Sequence, residues 1–261
     1  MYRAQPRDGI AWVTGASSGI GRAVAIELAQ RGYQVAATAR RVKELEELAT
    51  LSPNIHGYPG DVTDKLEMAA LAAEIESRIG AVALAFLNAG VYFIKERESF
   101  DADTVWRTFG INVSGTVNCL APVLAAMQRR GKGQLAINAS IAGYGGFKGS
   151  AAYGSTKAAL IYMAESLKLA YEEAGISVQI VNPGFVETEM TAQNDFEMPF
   201  IMKADRAARI ICDGFEKGGF EITFPWRLAY LFKAVCLLPY PLYFAQMRRS
   251  TRRGRLPLRR D

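Results

Sequence analysis

The sequence predicts an α/β protein: a doubly wound parallel sheet with helices on both faces, in a single domain. Three observations carry this. Strand-length runs rich in Val, Ile and Ala recur from Gly9 to Gly184 and are apolar on successive residues, as strands covered on both faces must be. Segments with helical spacing separate them, and parallel neighbours need such crossovers. Glycine and polar residues gather where the strands end, and ligands of doubly wound sheets bind at those carboxyl ends.

In order, "GIAWVTG" is a buried strand closed by a turn, and "GIGRAVAIELAQRG" is a helix stopped by Gly32. "YQVAATAR" is the second strand and "VKELEELATL" an amphipathic helix. "NIHGYPGDV" holds a short third strand, followed by the helix "KLEMAALAAEIESRIG". "VALAFLNAG" is the fourth strand. The long stretch from Asp101 to Gly131 is one helix, with Asp101 or Asp103 as N-cap. "GQLAINAS" is the fifth strand, a helix carrying Tyr153 runs to about Ala174, and "ISVQIVNPG" is the sixth strand, closed by Pro183-Gly184. Residues 1–221 are expected to form the main domain, with a covering segment at about 185–205. Residues 222–261 form an apolar extension ending in an Arg-rich tail.

Bulk composition narrows the function classes. Of 261 residues, 50% are hydrophobic and 22% charged, ordinary for a chain with a substantial core. The net charge of +5 belongs to the tail: seven Arg stand against one Asp from Arg248 onward, and the remainder is almost neutral. Cys119, Cys212 and Cys236 are scattered, without the spacing of a metal site or a disulfide framework, so no metal is expected. The N-terminal residues lack an apolar run of signal-peptide length, and a reducing, cytoplasmic location is expected. Helix-turn-helix, zinc-binding and aromatic-basic patterns are missing, so no nucleic-acid partner is expected.

The strand ends hold the chemistry. "TGASSGIG" follows the first strand: Gly15, Gly19 and Gly21 permit a tight turn, and Ser17, Ser18 and Ile20 bring backbone amides to a diphosphate at the helix N-terminus. After the second strand an NAD site needs an acid for the ribose hydroxyls. Here stand Arg40 and Arg41, which suit a 2′-phosphate, so the cofactor is expected to be NADP(H). Asp61-Val62 follows the third strand; Asp61 either meets the adenine or caps the next helix. Asn88, Ala89 and Gly90 follow the fourth, Ser140 the fifth, and Pro183, Gly184, Val186 and Thr188 the sixth. Tyr153 and Lys157 lie one helical turn apart among small residues. His56, in the third-strand region, is read as structural.

Together these residues resemble the short-chain dehydrogenase/reductase family over about Gly9 to Thr191. The match comprises "TGASSGIG", "DV" at 61–62, "NAG" at 88–90, Asn112 in "INVSG", Ser140, "YGSTK" and "NPG", with Ser140 13 residues before Tyr153. Leu87 and Ala139 stand where many members have a second Asn and a second Ser. The resemblance implies a Rossmann-type fold, a homodimer or homotetramer, and hydride exchange between NADP(H) and a carbonyl/alcohol pair. It makes Tyr153 the general acid–base, Lys157 its electrostatic partner and ribose ligand, Ser140 the orienter of the substrate oxygen, and Asn112 a helix-held water ligand. Thr188 is expected to contact the cofactor carboxamide. A second reading is a catalytically silent NADPH-binding regulatory protein on the same fold.

For the substrate, Phe185, Met190, Phe196, Met198, Phe200 and Met202, with Tyr144 and Phe147, suggest an apolar lining and a lipophilic carbonyl or alcohol. The apolar stretch after Ile222 is broken by Pro239 and Pro241, and its longest uncharged run, from Ala234 up to Arg248, is shorter than the roughly 20 residues of a membrane span. It reads as a peripheral segment at an anionic membrane surface, a lid over the substrate, or a subunit interface.

Overall fold

The computed structural model describes residues 2–94, 99–194 and 197–253. Seven parallel strands form one sheet in the order β3-β2-β1-β4-β5-β6-β9. They are β1 (Ile10–Thr14), β2 (Val35–Ala39), β3 (Ile55–Pro59), β4 (Val82–Leu87), β5 (Gly133–Asn138), β6 (Ile176–Pro183) and β9 (Glu221–Phe224). A separate short parallel pair, β7 (Val186–Glu187) and β8 (Met202–Lys203), spans the segment expected to cover substrate. The six expected strands are present. The strand order reverses between β1 and β4, where the crossovers leave toward opposite edges and open a crevice at the carboxyl ends.

Alternation along β1 explains its unbroken apolar run. Ala11 and Val13 pack on one face with Val24 and Leu28 of α1 (Gly19–Gln30), Leu45 of α2 (Val42–Ala49) and Ile211 of α7 (Ala204–Lys217). Ile10 and Trp12 pack on the other with Met68 of α3 (Lys65–Arg78), Val123 of α5 (Gly115–Arg130) and Leu160 of α6 (Ala151–Tyr171). Trp12, fully buried, donates its indole N–H to Thr38 Oγ1 at 2.9 Å, satisfying the one polar group it takes into the core.

Two features depart from the sequence expectation. The first is β9, which pairs with β6 from Ile180↔Glu221 to Pro183↔Phe224, so the expected boundary at 221–222 falls inside a strand and the extension begins at Pro225. β9 has four residues and alternates between buried and half-buried positions, so it lacks the long apolar run that marks the inner strands. The second is the helix from Asp101. It is α4 (Ala102–Phe109) and α5 joined through a π turn at Gly110–Ser114, with Asp101 as its N-cap, bound to the Thr104 amide. This run, Ala102–Arg130, is long and apolar enough to cross a membrane, but Cys119, Leu120, Val123 and Met127 bury it against the sheet.

The extension forms α8 (Trp226–Cys236) and α9 (Tyr240–Arg253). Its inner side seats on the loop after Ser140. Leu228 and Ala229 pack on Ile141, and Phe232 meets Phe147 edge-on at 4.8 Å. Tyr243 donates to the Gly146 carbonyl at 2.8 Å, and Cys236 to the Tyr144 carbonyl at 3.3 Å. Tyr144 itself donates to Glu221 at 2.6 Å, and Glu221 also accepts from Lys233. Tyr144 and Phe147 thus anchor the extension rather than line the crevice. Phe200 faces solvent, Met202 is buried in β8, and Phe196 lies outside the described residues.

Candidate active site

The crevice is a cavity of about 970 Å³ along the carboxyl ends of β1 to β6. Of the catalytic and cofactor-binding residues expected from the sequence, only Gly21 and Asn112 do not line it, and both sit directly behind its wall; of the expected substrate-lining residues described, only Met190 does. At its centre is the turn after β1. Gly15 and Gly19 have φ of 67° and 54°, which a side chain would strain. A Cβ on Gly15 would lie 2.8 Å from the Ala89 Cα, and one on Gly21 only 2.3 Å from the Gly15 carbonyl oxygen. The glycines therefore let α1 start close beneath the turn. Ser18, the N-cap residue of α1, makes no side-chain cap bond, and it lines the cavity with Ser17, Gly19 and Ile20 at the N-terminus of the helix, where the first amides lack intrahelical partners.

The two arginines close one end. Arg40 is 64% exposed, with its guanidinium 3.7 Å from Asp61. Arg41 donates to Ser17 Oγ and to Glu189, both at 3.1 Å, so it spans from the glycine turn to the segment after β6. Asp61 does not cap α3; Asp64 does, accepting from the Leu66 and Glu67 amides. Asp61 instead accepts from the Thr63 amide and hydroxyl and remains on the cavity wall, while Val62 is buried against Gly115.

Asn88 ties three strand ends together. It donates to the Thr14 carbonyl at 3.1 Å and accepts from Asn138 at 2.8 Å, and Thr14 Oγ1 accepts from the Asn88 and Ala89 amides. Leu87 is a core residue, so this network steadies β4 without the second asparagine.

The opposite end holds the catalytic candidates. Lys157 is 3% exposed, and its ammonium donates to the Asn138 carbonyl at 2.8 Å. Burial pushes its pKa down to about 8, which leaves it mostly charged at neutral pH. Its Nζ lies 5.6 Å from the ring centroid of Tyr153, one turn earlier on α6, and Tyr153 meets Tyr92 edge-on at 5.4 Å. Ser140 begins a short turn, accepting from the Ala142 amide at 3.1 Å and donating to the Pro183 carbonyl at 3.3 Å. That second bond is long for an O–H donor, so turning the hydroxyl toward a substrate oxygen sacrifices little. The small residues around Tyr153 admit this loop: a Cβ on Gly154 would meet the Ala142 carbonyl oxygen at 3.2 Å.

Asn112 is fully buried in the π turn. It accepts from the Val91 amide at 2.7 Å and donates to the Val91 carbonyl at 3.0 Å and to Thr156 at 3.1 Å, holding the chain after β4 against α6. A Cβ on Gly90 would touch both Asn112 Oδ1 at 3.2 Å and Lys157 Nζ at 3.5 Å, so the two polar atoms face one point above this glycine. Pro183, Gly184 and Val186 line the wall after β6. Thr188 lies over the glycine turn, where its methyl group would stand 3.0 Å from a Cβ on Gly19.

Sequence reasoning missed one wall. Tyr92, Phe93 and Ile94 after β4, with Asp103 and Arg107 of α4, face the cavity, and Arg107 stacks 4.7 Å above the Phe93 ring. Asn138 was missed too, though it ends β5 two residues before Ser140, a position that could have marked it. His56, at the sheet edge, hydrogen-bonds Gln34 at 2.7 Å and takes no part in this cavity. Among the described residues no group of His, Cys, Asp and Glu is arranged to hold a metal ion.

The comparisons with known proteins agree with this geometry. The short chain dehydrogenase family model matches residues 9–198. An uncharacterized oxidoreductase of Myxococcus xanthus is 35% identical over 92% of this chain and 96% of its own. The 3-oxoacyl-(acyl-carrier-protein) reductase FabG of Staphylococcus aureus is 33% identical over 69% of this chain and 76% of its own. A short-chain dehydrogenase from Streptomyces avermitilis superposes with a TM-score of 0.78 at 28% identity, covering 94% of this chain and 97% of that one. The chain belongs to the short-chain dehydrogenase family of nicotinamide-dependent oxidoreductases.

Proposed function

We propose that this protein is an NADP(H)-dependent carbonyl reductase or alcohol dehydrogenase acting on a lipophilic substrate, with Tyr153 as its general acid–base. The observation that carries this reading is the buried Lys157 ammonium one turn from Tyr153, on the same cavity as Ser140 and the glycine turn. The donor set fits the cofactor: guanidinium groups at one end, the amides of α1 in the middle, an ammonium at the other end, and glycines wherever a Cβ would intrude. Arg40 and Arg41 would hold the 2′-phosphate, and Lys157 the nicotinamide ribose. When bound, NADP(H) supplies the hydride in reduction and takes it up in oxidation.

The chain's own groups handle the proton. A phenol with an ordinary pKa near 10 is about 0.1% ionised at neutral pH, so acid–base work near pH 7 needs a shift of about three units, on the order of 4 kcal/mol. The Lys157 ammonium favours the phenolate and supplies part of that. Ser140 orients the substrate oxygen, and Tyr153 Oη gives it a proton in reduction and removes one in oxidation. Asn112 holds the chain after β4 in place, and its Oδ1 faces the point above Gly90 that Lys157 also faces, which favours a proton exit from Lys157 through water.

Tyr92, Phe93, Ile94 and Met190 support a lipophilic substrate, and the name of the staphylococcal relative makes 3-oxoacyl compounds a natural arm of any screen. Exposed Trp106, Val117, Tyr162 and Leu169 on α4, α5 and α6 favour self-association through these helices, as the expected homodimer or homotetramer requires. The test is NADPH oxidation against aliphatic, acyl, aromatic and steroid carbonyls. Tyr153→Phe should abolish turnover while NADPH still binds; undiminished turnover in that variant would refute the mechanism, and no turnover of any carbonyl by the unmodified protein would favour the silent regulatory reading.

A further inference from the structure

The outward side of the C-terminal extension is built opposite to an ordinary surface helix. Helix α8 buries Leu228 and Ala229 inward, yet its exposed face, at helical spacing, carries Trp226, Tyr230, Leu231 and Ala234. The apolar surface continues through Leu237, 87% exposed, into the start of α9, where Leu242 and Phe244 face out. Soluble surfaces do not concentrate large apolar side chains this way without a partner.

Charge identifies the partner. Between Glu221 and Asp261 the chain has no acidic residue, so α8 and α9 carry no negative side chain. Lys233 is neutralised internally by Glu221. Among the described side chains of α8 and α9, the exposed cations are Arg227 beside Trp226 and Arg248 and Arg249 beyond Phe244, and they flank the apolar patch. An apolar centre flanked by arginines, on helices without an acidic residue, matches the acyl–headgroup boundary of an anionic bilayer. A protein partner or a second copy of this chain would equally cover the apolar centre, but helices that carry arginines and no acid are best complemented by a surface that is itself uniformly negative.

We propose that α8 and α9 dock this protein on anionic phospholipid bilayers, with Trp226, Leu231 and Leu237 entering the interface and Arg227, Arg248 and Arg249 meeting the headgroups. The inner side of the extension keeps the loop after Ser140 in place, so docking requires no rearrangement of the fold. The proposal stands independently of the reaction catalysed.

The experiment uses the full chain, co-sedimented with vesicles of phosphatidylcholine alone or with about one third phosphatidylglycerol, at low and high salt. Binding is expected to the anionic vesicles and to weaken with salt. Each cation near such a surface contributes about fivefold, so Arg248→Gln with Arg249→Gln should lower partitioning by roughly 25-fold. Leu237→Glu should lower it at least tenfold. In a Trp106→Phe background, vesicles should shift Trp226 emission to the blue, because Trp12 is buried and reports little. Unchanged melting temperature and NADPH binding establish that the variants are folded. Failure to bind anionic vesicles overturns the proposal, as does binding that survives both variants. Self-association lost in Leu237→Glu, or RNA binding lost with the two arginines, in either case without vesicle binding, overturns it in favour of those partners.

Discussion

Lys157→Met is expected to stabilise the cofactor-free protein and abolish its activity. The ammonium is 3% exposed, and burial lowers its pKa from 10.5 to about 8. At about 1.4 kcal/mol per unit, keeping that charge in the folded state costs roughly 3 kcal/mol. Methionine fills nearly the same volume without a charge. The substitution forfeits the 2.8 Å bond to the Asn138 carbonyl, a loss of about 1–2 kcal/mol. The net gain is about 1–2 kcal/mol, or a few degrees of melting temperature for a domain this size. The pH dependence gives the argument its signature. Below pH 8 both folded and unfolded chains hold the proton, and the penalty is complete. Between about 8 and 10.5 the unfolded chain holds it and the folded chain does not, so the native protein gains stability as pH rises. Urea unfolding should therefore find the variant more stable at neutral pH and the gap closing toward pH 10.5. A variant less stable at neutral pH, or a gap independent of pH, refutes the claim that burial of this charge is costly and is retained for its chemistry.

Three further outcomes follow from the same cavity. Arg40→Asp should weaken NADPH binding at least tenfold and leave NADH nearly unchanged, measured by fluorescence titration; equal effects refute the 2′-phosphate role. Glu189→Gln should tighten NADPH up to about fivefold and leave NADH alone, because the carboxylate that engages Arg41 at 3.1 Å competes with a phosphate for the same guanidinium. Gly21→Ala forces a Cβ to within 2.3 Å of the Gly15 carbonyl and 2.5 Å of Asn88 Nδ2; it should cost about 1–3 kcal/mol in thermal or urea unfolding and reduce NADPH binding more than tenfold.

Most of the sheet and the cavity were legible in the sequence because their signals are local. The inner strands declare themselves by runs such as "VALAFL", buried at every position. The glycine turn declares itself because positive φ and close backbone approach exclude other residues at Gly15 and Gly19. What escaped depends on partners distant in the chain. Four-residue β9 is a strand because β6 offers it an edge, and Tyr144 turns from the cavity because Glu221 accepts its hydroxyl. The wall at Tyr92 and Arg107 exists because Asn112 clamps Val91 across the π turn, an arrangement no periodicity reports.

By itself, then, the sequence determined the six strands from Gly9 to Gly184 and the helices between them, the carboxyl strand ends as the place of the site, and the residue types around it. Hydrophobic period, turn chemistry and motif spacing are written along the chain and need no distant contact. Only the tertiary structure decided the state of those residues: Lys157 buried on the Asn138 carbonyl, Arg41 engaged by Glu189, Asp64 rather than Asp61 capping a helix, and an apolar face of α8 left outward. Burial, charge and hydrogen-bond partner are properties of the space a side chain enters, and that space is assembled from segments far apart in sequence.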